Sequence, residues 1–182
     1  MKATTIRHAL LIIPLMVCAQ TANAQQPANL DSLKGLIGKW TGEGTSEAGA
    51  GGGYFNFEAG LKDKVLIRKN HAEYPETKDR AAVTHEDLMI VYVDTAGKQL
   101  RGFYTDSEGN TINYLITVAG DGKTITFLSD PRDAGPRYRL TYVLTKPDQI
   151  ALTFEIAAPD KPDQFRKFLD GRVRRAGSEL IN

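Results

Sequence analysis

The sequence predicts an all-β protein: a single antiparallel up-and-down β-barrel of about ten strands behind a short N-terminal helical turn. Three observations carry that expectation. From residue 39 onward, apolar residues recur at every second position, the period of a strand with one buried face. Short turns separate the segments so marked, among them Thr95-Ala96-Gly97-Lys98, Ser107-Glu108-Gly109-Asn110, Gly120-Asp121-Gly122-Lys123 and Lys146-Pro147-Asp148, and such turns force neighbouring strands to run antiparallel. Ten strands in one row cannot stay flat, and closing the row removes both unpaired edges.

Residues 1–24 read as a cleavable export signal. Lys2 and Arg7 precede an apolar run of about eleven residues, Ala22-Asn23-Ala24 supplies a small-residue cleavage site, and the mature chain is expected to start at Gln25. The run is well short of the roughly twenty residues a spanning helix needs, and Pro14 interrupts it, so no membrane anchor is expected. Cys18 invites a lipoprotein reading, but Val17 stands where such signals carry a small residue. Removing the signal removes the only cysteine, so stability rests on packing without a disulfide. It also takes two bases and no acid from a chain of formal charge +1, which leaves −1 and gives no support for nucleic-acid binding.

Residues 30–38 read as one or two helical turns capped by Asp31 or Ser32, with Leu33, Leu36 and Ile37 on one face. Ten strands are then expected at 39–44, 52–59, 64–74, 87–94, 100–105, 111–118, 124–128, 138–145, 150–157 and about 168–175. Helix elsewhere is expected, at most, over 163–169. The alternation is plainest where Ile112, Tyr114, Ile116 and Val118 share a face, and again for Tyr138, Leu140, Tyr142 and Leu144 and for Ile150, Leu152, Phe154 and Ile156. A barrel of eight to ten strands is wide enough for one small ligand. One domain, 25–182, is expected.

Gly38-Lys39-Trp40 opens the first strand directly after a helical turn and resembles the Gly-x-Trp signature of lipocalin and calycin barrels. The longer Gly38-Lys39-Trp40-Thr41-Gly42-Glu43-Gly44 is similar to the opening of nitrobindin-like bacterial domains. The resemblance implies that Trp40 closes one end of the barrel and that an arginine of the last strand, Arg172 or Arg174, packs over its ring, with Arg174 chosen here. Read from the residues alone, Trp40 is a large core anchor, and Arg172, Arg174 and Arg175 are a solvated face of the last strand with one inward arginine. Nitrobindin-like barrels hold a haem through a histidine near the C-terminus. Residues 25–182 carry only His71 and His85, neither in the last strands, so the resemblance does not carry haem over. Two isolated histidines without cysteines make no zinc ligand set, and no cofactor or metal is expected.

His85-Glu86-Asp87 pairs a histidine with carboxylates, as a general base requires, but no Gly-x-Ser-x-Gly elbow or reactive cysteine supplies a nucleophile. Residues 102–110 place an aromatic and two acids around a hairpin, and residues 130–139 bring three arginines to a strand entry. Convergent polar groups at the mouth of an apolar cavity are what ligand orientation needs. The glycine run 49–53 lacks the Gly-Lys-Ser/Thr ending of a phosphate loop and reads as a connection, or as a lid over the open end.

The expected function is an exported barrel, periplasmic or secreted, that binds a small, mostly apolar or amphipathic molecule with a polar or anionic end. Arg68, His85, Tyr104, Tyr114 and Arg139 are its candidate site, the arginines meeting the head group. Arg139 enters the cavity only if Tyr138, Leu140 and Tyr142 pack outward. Two alternatives stay open: an enzyme using His85 as base and Asp87 as its orienter, and a filled barrel serving as an envelope protein-interaction module. No oligomeric state follows from the sequence.

Overall fold

The computed structural model describes residues 28–43, 52–79, 81–96, 98–132 and 134–177. The expected export signal, Gly44 and most of the glycine run lie outside the described residues. A 3-10 helix, Leu30–Leu36, precedes ten strands: β1 Gly38–Glu43, β2 Gly52–Gly60, β3 Val65–Tyr74, β4 Val83–Asp94, β5 Gln99–Asp106, β6 Thr111–Val118, β7 Thr124–Ser129, β8 Arg137–Lys146, β9 Gln149–Ala157 and β10 Arg166–Arg175. Each strand pairs antiparallel with its sequence neighbours, and β1 pairs with β10 to close the barrel. Among the described residues no helix is long and apolar enough to cross a membrane.

Because the strands alternate in direction, the two ends of the barrel differ. At one end lie the helix and the connections 61–64, 95–98, 119–123 and 147–148; at the other lie the end of β1, the start of β2, and the connections 75–82, 107–110, 130–136 and 158–165. We call these the helix end and the loop end. Gly122 at the helix end and Gly109 at the loop end sit at φ +67° and +85°, the left-handed conformation that tight turns demand and glycine adopts without steric cost.

The helix plugs its end with Leu33 and Leu36, both fully buried. Its cap is Asn29, whose side chain accepts from the Asp31 amide, in place of the expected Asp31 or Ser32. Trp40 is fully buried beneath the plug and donates from Nε1 to the Leu36 carbonyl at 2.8 Å. Register decides which arginine covers the indole. Trp40 lies opposite Arg175, whose guanidinium sits 4.3 Å from the ring centroid and donates to the carbonyls of Ile37 and Gly35. Arg172 and Arg174 flank the buried Val173 and therefore face outward, Arg174 bonding Glu43. The assignment of Arg174 to barrel closure is thus corrected to Arg175, the inward member of the basic cluster. Gly38 serves the same contact: it sits at φ +123°, and a Cβ there would run into the Arg175 guanidinium.

Above Trp40 the interior is filled by interlocking rings, with Tyr142 between Phe55, Phe57 and Phe127 at centroid distances of 5.7, 6.0 and 5.7 Å. Two further expectations change. The segment proposed as helix over 163–169 is a turn followed by the start of β10, with a bulge between Lys167 and Leu169, because strand pairing with β9 outweighs local propensity. Ile37 is a third exposed, having rotated off the buried face as the chain leaves the 3-10 helix.

Candidate functional site

On the inner faces of β3, β4 and β5 the side chains turn from apolar to polar toward the loop end. Leu66 gives way to Arg68 and Asn70, Met89 to Asp87 and His85, and Gly102 to Tyr104 and Asp106, in adjacent registers. Arg68 and Asp87 form a buried ion pair through Nη1, their side chains 10% and 4% exposed. The guanidinium also lies over Phe55 at 5.3 Å. Burial works against its charge, but Tyr142, Asp87, Tyr104 and Tyr114 around it together hold its pKa above the ordinary value. Arg68 Nε and the Tyr142 hydroxyl are sealed from solvent without a hydrogen-bond partner. Burial, partly offset by Arg68, raises the Tyr142 phenol.

One layer nearer the loop end, His85 is held on both ring nitrogens. Nδ1 lies 2.8 Å from Glu108 and Nε2 3.4 Å from Asp87 and from the Tyr104 hydroxyl. The Asp87 and Glu108 carboxylates raise the imidazole's pKa against the opposing effect of its burial, Asp87 contributing most because it is the better shielded from water. Tyr104 donates to Asp106 at 3.2 Å, and burial keeps this phenol and that of Tyr114 protonated far above their ordinary range. Asp106 organises the hairpin below it, accepting from the amides of Glu108 and Asn110.

The donor atoms of His85, Asp106 and Glu108 lie within 4.8 Å of one another, three groups of the kind a divalent cation takes. Asp106 is already committed to Tyr104, Asn110 and its own hairpin, and Glu108 to His85. Both ring nitrogens of His85 thus face oxygen partners, and Glu108 holds the imidazole closer than the expected orienter Asp87, whose nearest cation is Arg68.

The opposite wall, β8 to β10, stays apolar as far as Arg166, which lies opposite Ile156 at the exposed rim, but loses its cover. Tyr138, Leu152 and Phe154 face inward and pack on the core, yet each keeps partial exposure inside a closed barrel. Between them, in register with Leu152 and two residues before the buried Val173, Gly171 presents no side chain, and a Cβ there would meet nothing within 4 Å. Tyr138 and Phe154 stack nearly parallel, 5.9 Å between centroids with an 8° tilt. At the loop end the inner faces thus differ, partly exposed and largely apolar on β8 to β10 and polar on β3 to β5.

Of the five candidate residues, Arg68, His85, Tyr104 and Tyr114 come together on the inner face. Tyr114 lies deeper, edge-on to Tyr104 and Phe127, with its side chain almost fully buried. Arg139 is corrected. Leu140 and Tyr142 point inward, so Arg139 points out, pairing with Glu155 through Nε at 2.6 Å and Nη2 at 2.8 Å and covering Phe165. His71 is also outside, stacked on Tyr54 between Glu73 and Glu86. Sequence reasoning passed over Asn70, Tyr138, Phe154 and Gly171. Asn70 was within its reach, since it shares strand parity with Arg68 two residues away; Gly171 was not, because an absent side chain leaves no periodic signal. No protein-family model matches the chain, and no curated protein matches it at a significant level.

Proposed function

We propose that the chain is an exported, calycin-like barrel whose loop-end chamber binds a small, mostly apolar molecule carrying a polar head. The observation that carries this reading is the partly exposed inner wall of Tyr138, Leu152 and Phe154 around the bare Gly171. Apolar side chains that remain accessible inside a closed barrel forgo the stabilisation of burial until an apolar guest covers them. Tyr104, His85 and Asn70 line the facing wall and orient the polar end, while Arg68, Asp87 and Tyr114 form the floor. Export through the signal at 1–24 places this binder in a periplasm or outside the cell, with Gln25 as the first residue of the exported protein.

Fluorescence enhancement of N-phenyl-1-naphthylamine, an uncharged apolar probe, tests the chamber. Gly171→Leu fills open space without asking the backbone for a disallowed φ, so it should cut probe affinity severalfold while leaving the melting temperature nearly unchanged. Native mass spectrometry of protein purified from its own compartment should show a bound small molecule that the Gly171→Leu protein lacks. A wild-type protein that does not enhance the probe, or a Gly171→Leu protein that binds it equally well, would overturn the chamber and favour the filled-barrel interaction module.

A further inference from the structure

We infer that the chamber selects an uncharged head group, read by the Asn70 side-chain amide, and discriminates against carboxylates; this deepens the binding reading above and rests on it. The expected anion readers were Arg68 and Arg139. Arg139 is outside the barrel in a two-point ion pair with Glu155. Arg68 is inside, but Asp87 neutralises it, the Phe55 ring lies against it, and its Nε, unpartnered among the described residues, has no accessible surface.

The remaining charges point the same way. Among the described residues, the ionisable groups joined in the inner network at the loop end are Arg68 and His85 against Asp87, Asp106 and Glu108. Within that network negative charge exceeds positive by one even with His85 protonated, and the one base described on the facing wall at this end, Arg166 opposite Ile156, lies exposed at the rim across the barrel. A carboxylate entering between these walls would meet net repulsion, and each carboxylate already holds the donors within reach. A neutral head meets no such barrier.

Asn70 is the group such a head would find. It lies on the inner face of β3, opposite Phe55 on β2 and Asp87 on β4, one residue pair above Arg68 toward the loop end. It is half-buried, and its side chain has no hydrogen-bond partner among the described residues. A side-chain amide offers a donor and an acceptor together, which matches an amide, an alcohol or a ketone and gives no charge to attract an acid.

Octanamide and octanoate are nearly isosteric and differ by one unit charge, so their displacement of N-phenyl-1-naphthylamine isolates the head-group effect. Octanamide should displace the probe at a concentration at least roughly tenfold lower than octanoate, the scale of one partly screened like-charge repulsion. Glu108→Gln removes the excess negative charge and should narrow that gap, chiefly by strengthening octanoate. Asn70→Leu should weaken octanamide severalfold relative to the apolar probe, whose own affinity is measured in the same variant. Octanoate displacing as well as octanamide, a gap unchanged by Glu108→Gln, or octanamide indifferent to Asn70→Leu would each overturn the inference while probe binding leaves the chamber standing. Failure of the probe itself to bind would overturn both.

Discussion

The two ends of this barrel are built from the same strands and the same alternation, yet they serve opposite ends. At the helix end the connections are four, four, five and two residues long, and the interior is closed by Leu33, Leu36 and Trp40. At the loop end they are eight, eight, four, seven and eight residues long, and the inner face carries a charged network opposite half-exposed apolar residues. Short turns with a filled interior maximise buried apolar area and minimise loop entropy. Longer connections and polar inner faces give up some of that stability, the usual arrangement where binding residues sit on a rigid scaffold. The change falls within single strands: following β3 from Leu66 through Arg68 to Asn70 passes from apolar core to buried ion pair to a partly exposed amide in five residues.

The contrast can be broken most directly at the helix end. Trp40→Ala should destabilise by about 3–5 kcal/mol in urea unfolding, the range for deleting a fully buried aromatic. A loss below about 1 kcal/mol would mean that the plug does not depend on its tryptophan.

The floor between the two ends comes next. Arg68→Met should cost about 3–5 kcal/mol because it strands the buried Asp87 charge, whereas the double substitution Arg68→Met with Asp87→Leu should recover most of that loss. If the double variant were no more stable than the single one, the ion pair would be adding net stability rather than fixing the polar layer in place. A smaller effect separates the two arginines at closure. Arg175→Leu should cost about 1–2 kcal/mol through lost stacking on Trp40 and bonds to two carbonyls, while Arg174→Ala, an exposed partner of Glu43, should leave the unfolding midpoint unmoved. The reverse order would show that the motif-based choice of Arg174 was right.

The smallest expected effect is at the mouth, and its sign follows from linkage. The folded protein raises the His85 pKa above its ordinary 6.5. The associated stability is therefore fully present below pH 6.5 and is lost as pH rises through the folded value. His71 on the outer face is raised by Glu73 and Glu86 and shares that sign, so the two must be separated by NMR titration of each imidazole. Glu108→Gln should lower the His85 midpoint and leave that of His71 in place. Equal movement of both would dissolve the distinction between the inner network and the surface pair.

Much of the architecture was legible because alternation and turn chemistry are local. Ile112, Tyr114 and Ile116 announce a strand with one buried face whatever surrounds them, and Gly122 and Gly109 announce the turns. Most strand bounds agree to within one or two residues, with β4 the main exception: it starts at Val83 rather than 87 because Val83 pairs with Tyr74 across a longer ladder. The site was half legible. Arg68, His85, Tyr104 and Tyr114 carry the polar and aromatic chemistry that attracts attention in a sequence, and the parity of their strands is correct for the interior. Arg139 was misplaced because parity says which residues share a face but not which face is inside, and β8 is amphipathic in a way that charge on one side and tyrosines on the other do not resolve.

What the sequence determined by itself is the list of strands and their antiparallel order, since both follow from spacing along the chain; that Trp40 stands at the closed end was implied only by the resemblance to calycin barrels. What only the tertiary structure decided is everything that depends on closing β1 against β10 and on depth within the barrel. Closure sets Trp40 opposite Arg175 rather than Arg174. Depth turns Arg68 into a neutralised floor, leaves the Asn70 side chain without a hydrogen-bond partner among the described residues, and leaves open space beside the bare Gly171. Pairing register and burial are relations between residues tens of positions apart, and a two-residue period carries no information about either.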